Sequence, residues 1–225
     1  MTAPPVFDPC QVPVLGTDGH LPKVPLQALL PAAIAQRFSG THRWSPELHS
    51  EPRFSDKGLV HASVLIPLVE RVDGLTVLLT QRTPHLSSHS GQVAFPGGKA
   101  DAADHNATAT ALREAQEEIG LASRFVDVLG EFPVYTTGSA FIITPVIALV
   151  RPGFTLSANP HEVADIFEVP LNFLMNPAHH RRHAVDWAGQ RREWLSMPYM
   201  DGTSERFIWG ATAGILRNFY RFLLD

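Results

Sequence analysis

The sequence predicts an α/β fold, a three-layer sandwich with a mixed sheet between a central helix and a C-terminal helix. Three observations carry this expectation. Two β-branched runs, residues 59–69 and 75–82, flank an Asp73-Gly74 turn. A helix is expected from about Asn106 to Ile119, closed by Gly120. A last apolar run, 208–224, has helical spacing at Ile208, Thr212, Ile215, Leu216, Phe219 and Leu223. Layers of this kind bury a sheet on both faces.

The totals fit that reading. The chain has 225 residues, 44% hydrophobic and 18% charged, with a formal charge of −4. This balance argues against a general nucleic-acid binder, which would carry a basic excess. No apolar stretch approaches the roughly 18 residues of a membrane span, and the N-terminus lacks a basic segment followed by an apolar run. Cys10 is the only cysteine, so no intrachain disulfide can form, and a cytoplasmic setting is expected.

In chain order, residues 1–58 form a Pro-rich arm whose helix-like piece, 26–38, is started or interrupted by Pro31. The arm is expected to pack on the main domain, 59–225, and to offer a homodimer contact. After the hairpin, 90–98 read as a short strand ending in Gly97-Gly98. In the helix, Ala109, Leu112, Ala115 and Ile119 form an apolar stripe opposite Glu114, Glu117 and Glu118. Further strands are expected at 125–135, 141–150, 163–169 and 191–197. The basic run at 179–183 reads as a solvated loop, with a phosphate contact as the alternative.

The three glutamates pose the chemical question. Spaced i, i+3 and i+4, they share one arc of the helix and repel each other. Either this is a solvated acidic face, or a cation belongs there. Carboxylates so placed can hold a hard divalent cation through oxygen, magnesium or manganese above all.

The segment from Gly97-Gly98 to "LREAQEEIGL" resembles the Nudix box, with Gly98, Arg113, Glu114, Ala115, Glu117, Glu118, Gly120 and Leu121 in its main positions. Asp104 stands where that pattern has its first glutamate, and the loop is one residue longer. The resemblance implies the Nudix α/β/α sandwich and hydrolysis of a nucleoside diphosphate linked to another group. Cations on Glu114, Glu117 and Glu118 would neutralise the diphosphate and activate water. Arg113 is then either a surface ion pair or the orienter of a helix carboxylate. Gly97 and Gly98 allow close backbone approach.

Upstream, Leu78, Leu79, Thr80, Arg82, Gly91, Phe95, Pro96, Gly97 and Gly98 match a signature of the coenzyme A pyrophosphatase subgroup. That resemblance implies a CoA-type nucleotide as substrate, with Arg82, Gly97 and Gly98 in contact with it. Thr83 replaces the signature's small residue and Ser87 its second arginine, so the substrate site at Ser87 lacks a cation. His85 and His89 flank that gap. Glu162 is a candidate proton acceptor reaching the cluster from a later loop, or a solvated residue; Glu114 is the other candidate. A hydrolase of ADP-ribose or another nucleoside diphosphate derivative is the enzymatic alternative, and a non-catalytic nucleotide-binding module the other.

Overall fold

The computed structural model describes residues 8–40, 44–55, 58–84, 91–187 and 189–225. His85, Ser87 and His89 lie outside the described residues. In chain order the elements are β1 (Gly16–Thr17), α1 (Pro31–Ser39), β2 (Val60–Arg71), β3 (Gly74–Arg82), β4 (Val93–Ala94), β5 (Gly97–Lys99), α2 (Ala107–Ile119), β6 (Val126–Glu131), β7 (Tyr135–Thr136), β8 (Phe141–Val150), β9 (Val163–Pro170), α3 (Leu171–Leu174), β10 (Arg181–Trp187), β11 (Gln190–Asp201), β12 (Ser204–Trp209) and α4 (Gly210–Leu224).

β2, β3 and β8 are almost unbroken Val/Ile/Leu runs because both of their faces are covered. Leu65, Val69, Leu78, Val146 and Ala148 enter one core with Ala111, Ala115 and Ile119 of α2. Ile66, Leu68, Val77, Leu79 and Ile147 enter the other core, with Ile34 of α1 and Ile215, Phe219 and Leu223 of α4. The sheet between them runs β4-β3-β2-β8-β6, with β5, β7 and β9 pairing at its margins. β2 and β8 pair in parallel from Val60↔Phe141 to Val69↔Val150, and the β2–β3 pair is antiparallel, so the sheet is mixed. The expected three-layer sandwich is the observed one.

Local signals place the ends of α2. Asn106 caps its N-terminus, accepting from the Ala109 amide at 2.8 Å. Gly120 closes it in the left-handed region at φ 69. The β2–β3 turn closes as expected, with Gly74 at φ 118 opposite Arg71. Pro31 starts α1 rather than interrupting it.

Several boundaries differ from expectation. The strand expected at 125–135 is two strands, β6 and β7, divided where Pro133 has no amide to give to a ladder. The strand expected at 90–98 is likewise two, β4 and β5. The C-terminal helix begins at Gly210, not 208: Ile208 and Trp209 end β12, and Gly210 turns the corner at φ 59. The buried stripe of α2 is Thr110, Ala111, Ala115, Glu118 and Ile119, so Glu118 lies within the stripe rather than opposite it.

The largest correction concerns 179–183. Instead of a solvated loop it leads into β10, part of a second sheet ordered β1-β10-β11-β12. His180 and His183 are buried, at 0% and 2% exposure. His180 Nε2 donates to the Leu174 carbonyl at 2.7 Å and its Nδ1 accepts from Arg217 at 3.0 Å. Acceptance at Nδ1 requires neutral imidazole, and burial pushes its pKa down to about 4.

Arg217 of α4, 2% exposed, ties the N-terminal arm to this second sheet. Its guanidinium meets Asp18 at 3.0 Å and Glu47 at 2.7 Å, while Arg182 grips Asp18 from the other side. Removing one member strands a buried charge. Arg217→Ala should therefore cost about 3–5 kcal/mol in urea denaturation. A loss below about 1 kcal/mol would mean that the arm is not held by this pair.

Candidate active site

Glu118 is 3% exposed, a carboxylate wedged between Ala115 and Ile119 of a helix face that should be apolar. Burying an ion requires partners. Its Oε2 accepts from the Gly97 amide at 3.0 Å, and Arg82 Nη1 stands 3.7 Å from Oε1. The glycine pair makes this approach possible. Gly97, at φ 158, lies so close to β2 that a Cβ would strike the Ser63 carbonyl. At Gly98 a Cβ would stand 2.5 Å from the Glu114 carboxylate. Backbone and helix carboxylates thus meet without a side chain between them.

Arg113 organises the other side. Its fork takes both oxygens of Asp104, at 3.0 and 2.9 Å, and also donates to the Lys99 carbonyl at 3.0 Å. Nη1 reaches Glu114 and Glu117, each at 2.9 Å. Of its two sequence readings, the orienter describes the geometry: a bidentate pair locks the guanidinium and leaves one edge for helix carboxylates. The Arg113 guanidinium holds Asp104 well below the usual carboxylate range. Asp104, a departure from the motif in sequence, is thus the residue that fixes Arg113.

The carboxylates are under electrostatic strain. Burial first, then Glu114 and Glu162, push Glu118 up to about 7 against the Gly97 amide and Arg82. Glu114 is raised as well, by burial first and then by Glu117 and Glu162, opposed by Arg113. Glu162 therefore lies within electrostatic reach of both. Its loop is pinned by a residue whose role sequence reading missed. Thr83, 6% exposed, donates its amide to the Glu162 carbonyl at 2.9 Å and its hydroxyl to the His161 carbonyl at 3.2 Å. The threonine that replaces the signature's small residue is what anchors this loop.

The chain thus brings Arg82, Gly97, Gly98, Arg113, Glu114, Glu118 and Glu162 to one place. Glu117 stands further out, its side chain 57% exposed. Among the described residues no three His, Cys, Asp or Glu side chains already enclose an ion-sized space. The donor chemistry nevertheless fits a hard divalent cation: the Glu114 and Glu118 carboxylate oxygens lie close together, and burial first, then neighbouring carboxylates, disfavours their charge in the absence of a cation. Arg82, Gly97, Gly98 and Lys99 also line a cleft of about 880 Å³ whose lining includes Trp194 of β11 and Phe207 of β12.

A model of the NUDIX domain matches residues 59–188. The chain belongs to the Nudix family. This Nudix chain is 38% identical over 175 residues to the uncharacterized Nudix hydrolase NudL of Photorhabdus laumondii, covering 78% of this chain and 91% of that protein. To the uncharacterized Nudix hydrolase NudL of Yersinia enterocolitica it is 42% identical over 158 residues, 70% of this chain and 78% of that protein. Among solved structures, the Nudix hydrolase RenU of M. smegmatis aligns at TM-score 0.44 and 24% identity, over 52% of this chain and 73% of that one. The protein is an enzyme, a Nudix pyrophosphohydrolase. Nudix hydrolases generally use divalent metal ions, which accords with the donor set. No helix among the described residues is long and apolar enough to cross a membrane.

The raised pKa of Glu118 has a sign that can be measured. Because the folded state holds this proton more tightly than the unfolded chain, the penalty for burying Glu118 is absent below about pH 4.5 and complete above about pH 7. In EDTA, stability should fall across that window by up to about 3 kcal/mol on this account. Glu118→Gln should flatten that component. The same slope in both proteins by urea denaturation at pH 5 and pH 8 would refute it.

Proposed function

We propose that the enzyme hydrolyses the diphosphate of CoA or acyl-CoA, giving 3′,5′-ADP and 4′-phosphopantetheine or its acylated form, with magnesium or manganese, in the cytoplasm. The observation that carries the chemistry is the buried Glu118 carboxylate, bonded to the amide of Gly97, which lines a large cleft, and raised by burial first and then by Glu114 and Glu162. The CoA assignment rests on the signature residues around it: Leu78, Leu79, Thr80 and Arg82 belong to β3, and Phe95, Gly97 and Gly98 are cleft-lining.

Glu114, Glu117 and Glu118 would hold the cation, which when bound supplies charge neutralisation and an activated water. The residues of the chain do the rest. Arg113, locked by Asp104, holds Glu114 and Glu117 in orientation. Arg82 meets the diphosphate from the cleft side. The Gly97-Gly98 backbone lets that group lie close to the helix. Glu162, on the loop pinned by Thr83, takes the proton from the attacking water at its carboxylate oxygen.

A panel of CoA, octanoyl-CoA, ADP-ribose and a dinucleotide, with products separated by chromatography, tests the reading. CoA derivatives should show the highest kcat/KM, and EDTA should abolish turnover. Higher kcat/KM for ADP-ribose would give the site to another nucleoside diphosphate derivative. Glu162→Gln should lower kcat more than about tenfold, or 1.4 kcal/mol; a smaller change would return Glu162 to the solvated reading. Ser87→Arg should lower KM for CoA about tenfold at unchanged kcat, with no gain for 3′-dephospho-CoA. An equal gain for both would mean that position 87 does not read the 3′-phosphate.

A further inference from the structure

The lining of the cleft is of two kinds. Arg82, Lys99 and the glycine pair supply a polar part, and Phe54, Phe141, Ile143, Trp194, Phe207 and Trp209 an aromatic and aliphatic part. The two adjoin where β12 passes beside the end of β3, Arg206 donating to Gln81 at 2.9 Å. Trp194 and Trp209 meet edge to face at 6.5 Å, and His183 stacks behind Trp194 at 5.5 Å.

Charged groups around the aromatic part are engaged by the chain itself. Glu51 accepts from the Gly138 amide at 3.0 Å and from the Tyr135 hydroxyl at 3.3 Å. Arg192 donates to the carbonyls of Pro52 and Arg53, at 2.7 and 3.1 Å, and lies 5.6 Å from the Phe54 ring. Glu193 is held by Arg191 at 2.7 Å. These bonds build the wall instead of recognising a ligand's charge.

Glu51, Pro52 and Phe54 of that wall come from the N-terminal arm, outside the residues that match the Nudix domain. Glu51 and Phe54 donate backbone amides to Thr136 and Gly138, at 2.8 and 3.0 Å, and the Thr136 amide returns to His49 at 3.0 Å. The arm therefore runs along β7 like an added strand. Phe54 packs where a Cβ on Gly138 would stand, 2.6 Å away. The loop it covers contains Ala140 at φ 74, the one non-glycine residue at positive φ among the described residues. Such strain persists only where surrounding contacts fix it.

We propose that the arm completes a second subsite, in which Phe54 and Trp209 contact an uncharged, apolar chain joined to the diphosphate. Resting on the CoA reading above, that chain is the acylated pantetheine arm, and the adenosine 3′-phosphate half lies outside the aromatic wall. The lining supports this assignment. A diphosphate belongs beside Arg82, whereas a second phosphate against the aromatic residues would meet groups already committed to the backbone and lose its hydration uncompensated.

The test uses the two halves of the substrate separately, by calorimetric titration of the full chain with octanoyl-pantetheine and with 3′,5′-ADP. Octanoyl-pantetheine should bind the wild type, and Phe54→Ala should weaken it about tenfold, with 3′,5′-ADP changed less than twofold. Trp209→Leu, on the opposite wall, should show the same selective loss, and it decides the matter if Phe54→Ala fails to fold. The proposal is overturned if octanoyl-pantetheine does not bind, if the folded variants bind it as the wild type does, or if the loss falls on 3′,5′-ADP. Absence of CoA turnover in the panel above would sink the diphosphatase reading without touching this binding result.

Discussion

Everything at this site follows from one constraint: a carboxylate is buried where a helix must also pack. Glu118 shares its helix face with Ala115 and Ile119, which seat α2 on the sheet. A glutamate there costs stability unless donors come to it, and β5 supplies the Gly97 amide while β3 supplies Arg82. That demand fixes the spacing of three elements. β5 must pass between β2 and α2 so closely that neither Gly97 nor Gly98 can carry a Cβ. β3 must end beside the helix, and the Glu162 loop is then drawn in by Thr83 at that same strand end. The compensation is incomplete, as the pKa of about 7 records. Residual negative charge in a partly desolvated site is a poor device for stability and a good one for attracting a cation.

What the sequence disclosed and what it withheld divide along physical lines. α2 was legible because its signals are local: Asn106 caps it, Gly120 ends it, and the glutamates keep helical spacing. The paired strands were legible from β-branched content and the Asp73-Gly74 turn. The burial of Glu118 was not, since periodicity assigns charges to the outer arc and cannot see an amide arriving from Gly97. β10 was hidden for a related reason. Its approach reads as basic and polar, yet His180 meets Arg217, His183 meets Val12 and Arg182 meets Asp18, the last two more than a hundred residues away. Polar residues satisfied at such distances look like solvated loop in any window of ten. Asp104 stood in the sequence only as a departure from a motif, with no role visible there, whereas in the structure its short carboxylate meets the Arg113 fork with both oxygens.

The arm depends on non-local electrostatics of the same kind. Arg217 and Arg182 clasp Asp18 and Glu47, and Arg192 holds the Pro52 and Arg53 carbonyls, so three arginines from late in the chain fasten its first quarter. Each of these contacts closes a long stretch of chain, an entropic cost that packing must offset. Part of that packing is the arm's own, since Val24, Leu29 and Ile34 lie in the same core as Ile215 and Phe219 of α4. The arm also shapes the cleft. Its aromatic wall is shared by Phe54 from the arm and by Trp194, Phe207 and Trp209 from β11 and β12.

That division of labour has a consequence for how selectivity is built. On the proposed reading, the carboxylate cluster, Arg113 and the glycine pair would act on a diphosphate, which every substrate of this class has in common, and could not by themselves distinguish one attached group from another. Discrimination must come from surface that touches the rest of the ligand, since only contacts that differ between two ligands contribute to their difference in affinity. In this chain that surface belongs largely to the second sheet and to the arm. Both are attached to the core by charged pairs and backbone hydrogen bonds instead of by interdigitated apolar side chains alone. Bonds of that sort constrain geometry more tightly than apolar packing, since a bidentate guanidinium accepts few orientations. A wall held in this way keeps its aromatic residues in register with Arg82 and the glycine pair across the cleft.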